Sequence, residues 1–464
     1  MPSPPPLRAL LLAPLLACAA ATPGPPEPPP VCPVAAIAAP LSVPAAMSPA
    51  PAAAGVLLLR NARLIDGTGA APRPGIDVLI EAGRIRQVGA GLLIPAGTAV
   101  IDLGGRTLLP GFIDAHTHLT HDPQPSHAAA VTHGVTSSDA DAALRGAYNA
   151  RATLLAGFTT VRNVGGTLAD RSLRDAVAHG LVPGPRILVA NYSIGSTGGH
   201  CDDTNGLRPD VFATPDFTVG IADGPDALRK AVRQQIKHGA DVIKICATGG
   251  VLSQGDAVGA PQLTPDELAA IVDEAVRADR KVAAHAHGTL GIKDAVRAGV
   301  HSIEHGSMLD DEAIRLMKKR GTYLVPTVSV GAYVEQAATS GKLSPSSAAK
   351  AMAIAPRMRD SLARAYKAGV KIAFGTDAGV FEHGTNAREF SALTALGVTP
   401  MDAILAATRN AADLLGLTDV GVIKPGNIAD LVAVDGDPLA DIHALERPAL
   451  VIHDGAVVRP PTWQ

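Results

Sequence analysis

The sequence predicts an α/β protein, a (β/α)8 barrel of the TIM type carrying a small β-sandwich formed by its N- and C-terminal segments. Two observations carry the prediction. Across residues 109–419, short apolar strands alternate with helical segments eight times, as in a closed barrel rather than an open doubly wound sheet. On either side, residues 55–108 and 420–464 hold short strands separated by glycine turns, and neither piece looks large enough to stand alone. No GxGxxG stands at a strand-to-helix junction, which weakens the dinucleotide-binding alternative.

The elements follow in chain order. Residues 1–54 carry only Arg8 and Glu27 as charges yet hold 16 of the 38 prolines. Arg8 followed by the apolar run Ala9–Ala17 reads as a signal peptide within residues 1–20. Leu15-Leu16-Ala17-Cys18 is similar to a bacterial lipobox, which would place a lipid anchor on Cys18; ordinary cleavage near Ala20 is the alternative. Both imply export, to the periplasm or cell envelope. Residues 21–54 have too few large apolar side chains to pack and read as a linker. Strands then fall at 56–59, 76–80, 84–88 and 100–103, with counterparts at 430–434, 450–453 and 456–458. Barrel strands are expected at 108–116, 158–163, 186–191, 241–247, 281–287, 300–305, 322–327 and 370–376. One intervening helix begins at Pro265, with Thr264 as N-cap and Glu267 completing a capping box.

Composition narrows the function. Of 464 residues, 47% are hydrophobic and 18% charged, enough for a sizeable core. The net charge of −3, without a basic run, points away from nucleic acid. No apolar run has the length of a membrane-spanning helix. Four scattered cysteines do not suggest a disulfide framework, and Cys246 reads as a small buried thiol.

The chemistry lies at strand ends, where barrels of this kind place catalytic groups. His116 and His118, spaced i, i+2, point to one side of the first strand. His285 and His287 end the fifth strand, His305 the sixth, and Asp377 follows the eighth. Lys244 interrupts the apolar strand Val242-Ile243-Lys244-Ile245-Cys246. A buried, unpaired ammonium costs several kcal/mol. Three reasons for such a lysine are open: a salt bridge, a depressed pKa, or reaction with CO2 to a carbamate whose two oxygens can bridge divalent cations. The surrounding histidines and aspartate favour the carbamate.

These motifs resemble the amidohydrolase superfamily, and its binuclear, carboxylated-lysine branch of prolidase-like carboxypeptidases and ochratoxinase. The likeness rests on Pro110–His118, Lys244–Gly250, His285–Gly288, Ser302–Gly306 and Gly375–Asp377, and spans roughly residues 55–460. It implies two divalent metal ions: His116 and His118 on the first, His285 and His305 on the second, carboxylated Lys244 bridging both. Asp377 would bind the first ion and move protons. Zinc suits these donors, with manganese and cobalt as alternatives. A hydroxide shared by the ions would attack the scissile carbonyl. His287 is expected to hydrogen-bond a substrate carbonyl or to support the ligands. His200, in Gly198-Gly199-His200-Cys201, is expected to touch substrate. The resemblance also suggests a homo-oligomer.

The expected substrates are dipeptides or N-acyl amino acids, ochratoxin A-like amides included, losing a C-terminal amino acid. Hydrolysis of a cyclic amide or imidazolone is the alternative within the superfamily; a non-catalytic metal-binding protein of the envelope is the alternative outside it. Arg162 reads equally as a substrate-carboxylate ligand or a structural ion pair, Tyr192 more weakly as the former. His121, His127, His133, His179, His238, His301, His383 and His453 read as structural or surface residues.

Overall fold

The computed structural model describes residues 55–464, except 211, 462 and 464. The expected signal peptide (1–20), Cys18 and the linker (21–54) lie outside the described residues.

Seven parallel strands form two sheets. Phe112–Thr117, Phe158–Asn163 and Arg186–Val189 make one; Val242–Cys246, Lys281–Ala286, Ser302–His305 and Tyr323–Val325 make the other. A parallel bridge from Ile194 to Ile245 joins them. The expected eighth strand, 370–376, forms no continuous ladder. It contributes bridges from Ile372 to Leu324 and from Ala378 to Thr117, which seat this segment between the seventh strand and the first and complete the ring. Its backbone leaves strand geometry for a local reason. Asp377 sits at φ +64° with its N–H donating to the His116 carbonyl at 2.7 Å. Gly375 lies so close to the seventh strand that a Cβ there would fall 2.3 Å from the Val325 side chain.

The helices between strands cover the ring by burying one apolar face. Pro265–Arg277 does so with Leu268, Ile271, Val272 and Ala275, and the Thr264–Glu267 capping box is present. The leucine, isoleucine and valine each contribute roughly 1.5–3 kcal/mol on burial.

The apolar run Leu108–Ile113, read as one strand, is two. Thr107–Pro110 pairs with Leu431–Val434 and with the end of Val56–Leu64, whereas Phe112–Thr117 opens the barrel. The break is Gly111. Its N–H donates to the Asp430 carbonyl at 2.8 Å, and a Cβ there would lie 2.2 Å from Thr159 Oγ1, so only glycine passes.

The flanking strands interleave in a mixed, eight-stranded sheet. Its order is Ala456–Arg459, Pro448–His453, Leu431–Val434, Thr107–Pro110, Val56–Leu64, Arg73–Glu81, Arg84–Gly89, with Ala99–Asp102 also on Val56–Leu64. The Val56–Leu64 strand changes partner midway: Leu57–Arg60 pair with Ala99–Asp102, then Arg63 and Leu64 with Thr107 and Leu108. Leu59, Val78, Ile101 and Leu108 share one buried cluster with Leu431 and Leu450, so both ends of the chain build the same core.

Candidate metal centre

The first strand delivers His116 and His118, and their partners fix which nitrogen faces inward. His116 Nδ1 donates to Glu304 Oε2 at 2.8 Å. Burial alone would raise the Glu304 carboxyl; Arg162 and His116 outweigh it and hold it at about 2, so it is ionised and only accepts. His118 Nδ1 lies 2.8 Å from the Gly165 carbonyl, which also only accepts. Both Nδ1 atoms therefore carry a hydrogen, which leaves the Nε2 atoms as the ones available to a metal. These converge on Asp377 Oδ1, at 3.5 and 3.2 Å. Two imidazole nitrogens and a carboxylate oxygen brought this close make a set that one divalent cation can fill. That is the arrangement by which outer hydrogen bonds orient metal-binding imidazoles.

A second set stands across the cavity. His285, His287 and His305 offer ligand atoms within 4.8 Å of one another. His287 Nδ1 is held by Ser307 Oγ and His305 Nδ1 by Thr327 Oγ1, each at 2.7 Å. His285 Nε2 is buried without a hydrogen-bond partner. Burial, then neighbouring imidazoles, push His285 and His305 well below the usual histidine range, so both are neutral, the form that binds metal.

Lys244 is buried on the fourth strand and lines the same cavity. Burial draws its ammonium down to about 8, against the opposing pull of Glu304 and Asp377. Its acidic neighbours are paired elsewhere, Glu304 with Arg162 and His116 and Asp377 with His116 and His118, and none of the salt bridges among the described residues includes Lys244. The donors, oriented from outside and unpaired inside, fit divalent cations.

Three of the eight non-glycine residues with positive φ among the described residues stand at this site. His305 (φ +71°), Thr327 (φ +49°) and Asp377 (φ +64°) are left-handed, at a cost on the order of 1–3 kcal/mol each. Glu389 steadies the turn beyond Thr327 by accepting from the Val328 and Ser329 N–H groups at 2.8 and 2.7 Å.

The match of residues 107–458 to the amidohydrolase family decides the kinship. The chain belongs to the amidohydrolase family. Ochratoxinase of Aspergillus niger is 35% identical to this amidohydrolase over 370 residues, 75% of this chain and 74% of that enzyme. A Xaa-Pro dipeptidase solved with methionine in its active site superposes with a TM-score of 0.84 at 41% identity, covering 87% of this chain and 99% of that one. The crystal structure of A. niger ochratoxinase gives a TM-score of 0.76 at 32% identity, over 88% and 96% of the two chains.

The eight residues singled out in the amidohydrolase sequence, His116, His118, His200, Lys244, His285, His287, His305 and Asp377, all line one cavity of about 370 Å³. Tyr192 lines it too. Arg162 does not: fully buried, it donates to Ala115 O, Ser302 Oγ and Glu304 Oε1, so it is structural. Cys246 is not a free thiol but is disulfide-bonded to Cys201. The pairing escaped the sequence because 45 residues separate the two. His121, read as structural, lines the cavity and stacks on His118 with ring centroids 5.5 Å apart.

Sequence reasoning also missed the residues that hold the site together. Glu304 links His116 to Arg162. Asp114 accepts from the backbone N–H groups of His116 and Thr376, both at 3.1 Å, and so ties the first strand to the eighth segment. Burial raises its carboxyl to about 6 despite these bonds. The signal was available, since each is the one acidic residue of its strand, as Lys244 is the one basic residue of its own.

Proposed function

We propose that this amidohydrolase releases a C-terminal amino acid from dipeptides or N-acyl amino acids, ochratoxin A-like amides included. One observation carries the reading: both sets of metal-type donors open into a single cavity with an apolar wall on one side. Val251, Val330, Val334, Ile354 and Met358 form that wall. The volume of about 370 Å³ lies in the range that encloses a small ligand. Lys244 is the only lysine or arginine among the lining residues, which favours an apolar side chain over an acidic one.

His116, His118 and Asp377 would hold one divalent cation, His285 and His305 a second, with carboxylated Lys244 between them. Such a pair, zinc being the best match to the donors, supplies an acidified water and a polarised carbonyl. In the carbamate, the Lys244 Nζ lone pair bonds to CO2 carbon and Nζ loses a proton to water. The Asp377 carboxylate takes the proton of the attacking water and delivers it to the leaving amide nitrogen. His287, with Ser307 donating to Nδ1, presents Nε2–H to the carbonyl oxygen as charge grows there. His200 closes the cavity wall beside His285. The apolar wall takes the acyl group or side chain and excludes water. We also place the enzyme outside the cytoplasm, a reading that the Cys201–Cys246 bond supports.

The test is a library of N-acyl amino acids and dipeptides offered to the zinc-loaded protein, with amino-acid release as readout. Release from apolar acyl-amino acids is expected. A metal-loaded protein inert across the library would overturn the reading.

A further inference from the structure

The loop that carries His200 is fixed by a covalent bond at its next residue. Cys201 is disulfide-bonded to Cys246, at the end of the strand that carries Lys244, with Cα atoms 5.9 Å apart. Both cysteines line the cavity. Next to the bond, the His200 ring stacks on His285 with centroids 4.1 Å apart. Its Nδ1 lies 2.8 Å from Ser253 Oγ, and its backbone N–H donates to Gln262 Oε1 at 2.8 Å. The fit has no slack: a Cβ on Gly250 would lie 2.3 Å from the His200 ring, and one on Gly195 would lie 2.9 Å from Cys201 Cβ. Most other bonds of residues 198–205 stay inside the loop, as where Asp202 accepts from the Gly198 and Thr204 N–H groups. Segments held by few outside bonds open at low free-energy cost. Beside the two hydrogen bonds of His200, the disulfide is the covalent tie between this segment and the barrel.

We propose that the Cys201–Cys246 disulfide is a positioning element of the active site, holding His200 against His285 while oxidised and releasing it on reduction, with weaker substrate binding as the result. With a phosphine as reductant the step balances. Phosphorus attacks one sulfur, the S–S bond breaks, and water supplies the oxygen of the phosphine oxide and one proton to each thiolate. The inference rests on the amide-hydrolysis reading only for its kinetic arm.

The experiment compares the metal-loaded full chain before and after reduction by a phosphine, chosen because thiols compete for metal. Free thiols, bound metal, hydrogen exchange over residues 196–207 and the kinetics of an N-acyl amino acid are measured together. Full reduction is expected to speed exchange in that segment about tenfold. KM should rise about tenfold with kcat changed less than twofold. The double variant C201S/C246S should match the reduced enzyme and ignore the reductant. His200→Ala should raise KM in the oxidised enzyme, with reduction adding nothing further. Unchanged exchange and KM after full reduction would overturn the proposal. So would equal loss of kcat and bound metal, which marks a structural role only. If the hydrolysis reading itself fails, neither redox state turns over substrate, and the exchange measurement alone decides.

Discussion

Two places in this molecule gather histidine and aspartate at ligand spacing, and they use them in opposite ways. At the barrel mouth, His116, His118 and Asp377 converge with no arginine or lysine paired to them. At the seam between the terminal sheet and the barrel, Asp430, His453 and Asp454 stand just as close. There, however, Arg186 of the third barrel strand reaches in. Its Nη1 lies 2.8 Å from Asp430 Oδ2 and its Nη2 2.6 Å from Asp454 Oδ1, while His453 Nδ1 lies 2.9 Å from Asp430 Oδ1. The guanidinium supplies the positive charge that a metal would. Residue type and spacing are thus not what makes a metal centre. The deciding feature is whether the converging atoms already have a cation or a proton between them.

Metal removal tests this contrast most sharply. A chelator should abolish hydrolysis and zinc should restore it, whereas His453→Ala should leave the bound metal per chain unchanged by elemental analysis. A drop in metal content for that variant would break the comparison. Next in size, Asp377→Asn and Lys244→Ala should each lower kcat about a thousandfold with the unfolding midpoint nearly unmoved. Full activity in either would sink the mechanism.

The seam should respond in stability instead. Arg186→Ala strips Asp430, which is almost fully buried, of its guanidinium partner. It should cost about 3 kcal/mol in denaturant unfolding while kcat stays within twofold. The smallest effect is a pH dependence. Burial would raise the Asp430 carboxyl, but His453 and Arg186 prevail and hold it at about 2, below its ordinary value of 3.8. A depressed folded-state value stabilises the protein above the unfolded pKa, here by about 2 kcal/mol. That contribution fades as the pH falls from 3.8 towards 2. The stability gap between the wild type and Asp430→Asn should therefore narrow below about pH 4. A constant gap would show that Asp430 titrates normally and that the seam is held by packing.

The site was legible to the extent that strand alternation could place it. His116, His118, Lys244, His285 and His305 lie in or beside strands, so period 2 and the barrel rule bring them to one mouth. Asp377 was placed by the same rule, just after the eighth strand, while His200 lies on a loop and came from its glycine-flanked setting and motif likeness. The apolar wall could not be read, because Val330, Val334, Ile354 and Met358 come from helices whose placement over the mouth is a matter of packing. The run through Gly111 shows the same limit in the fold. Its hydrophobicity is continuous, and only the crowding against Thr159 and the bond to Asp430 reveal that the chain changes sheets there.

By itself, the sequence determined the barrel, the flanking strands and the donors at the strand ends, because periodicity and local chemistry are written along the chain. Tertiary structure alone decided the Cys201–Cys246 bond, the structural role of Arg162, and which of two His/Asp clusters is filled by a guanidinium. Each of these depends on the distance between atoms far apart in sequence, and such distances exist only once the core has packed.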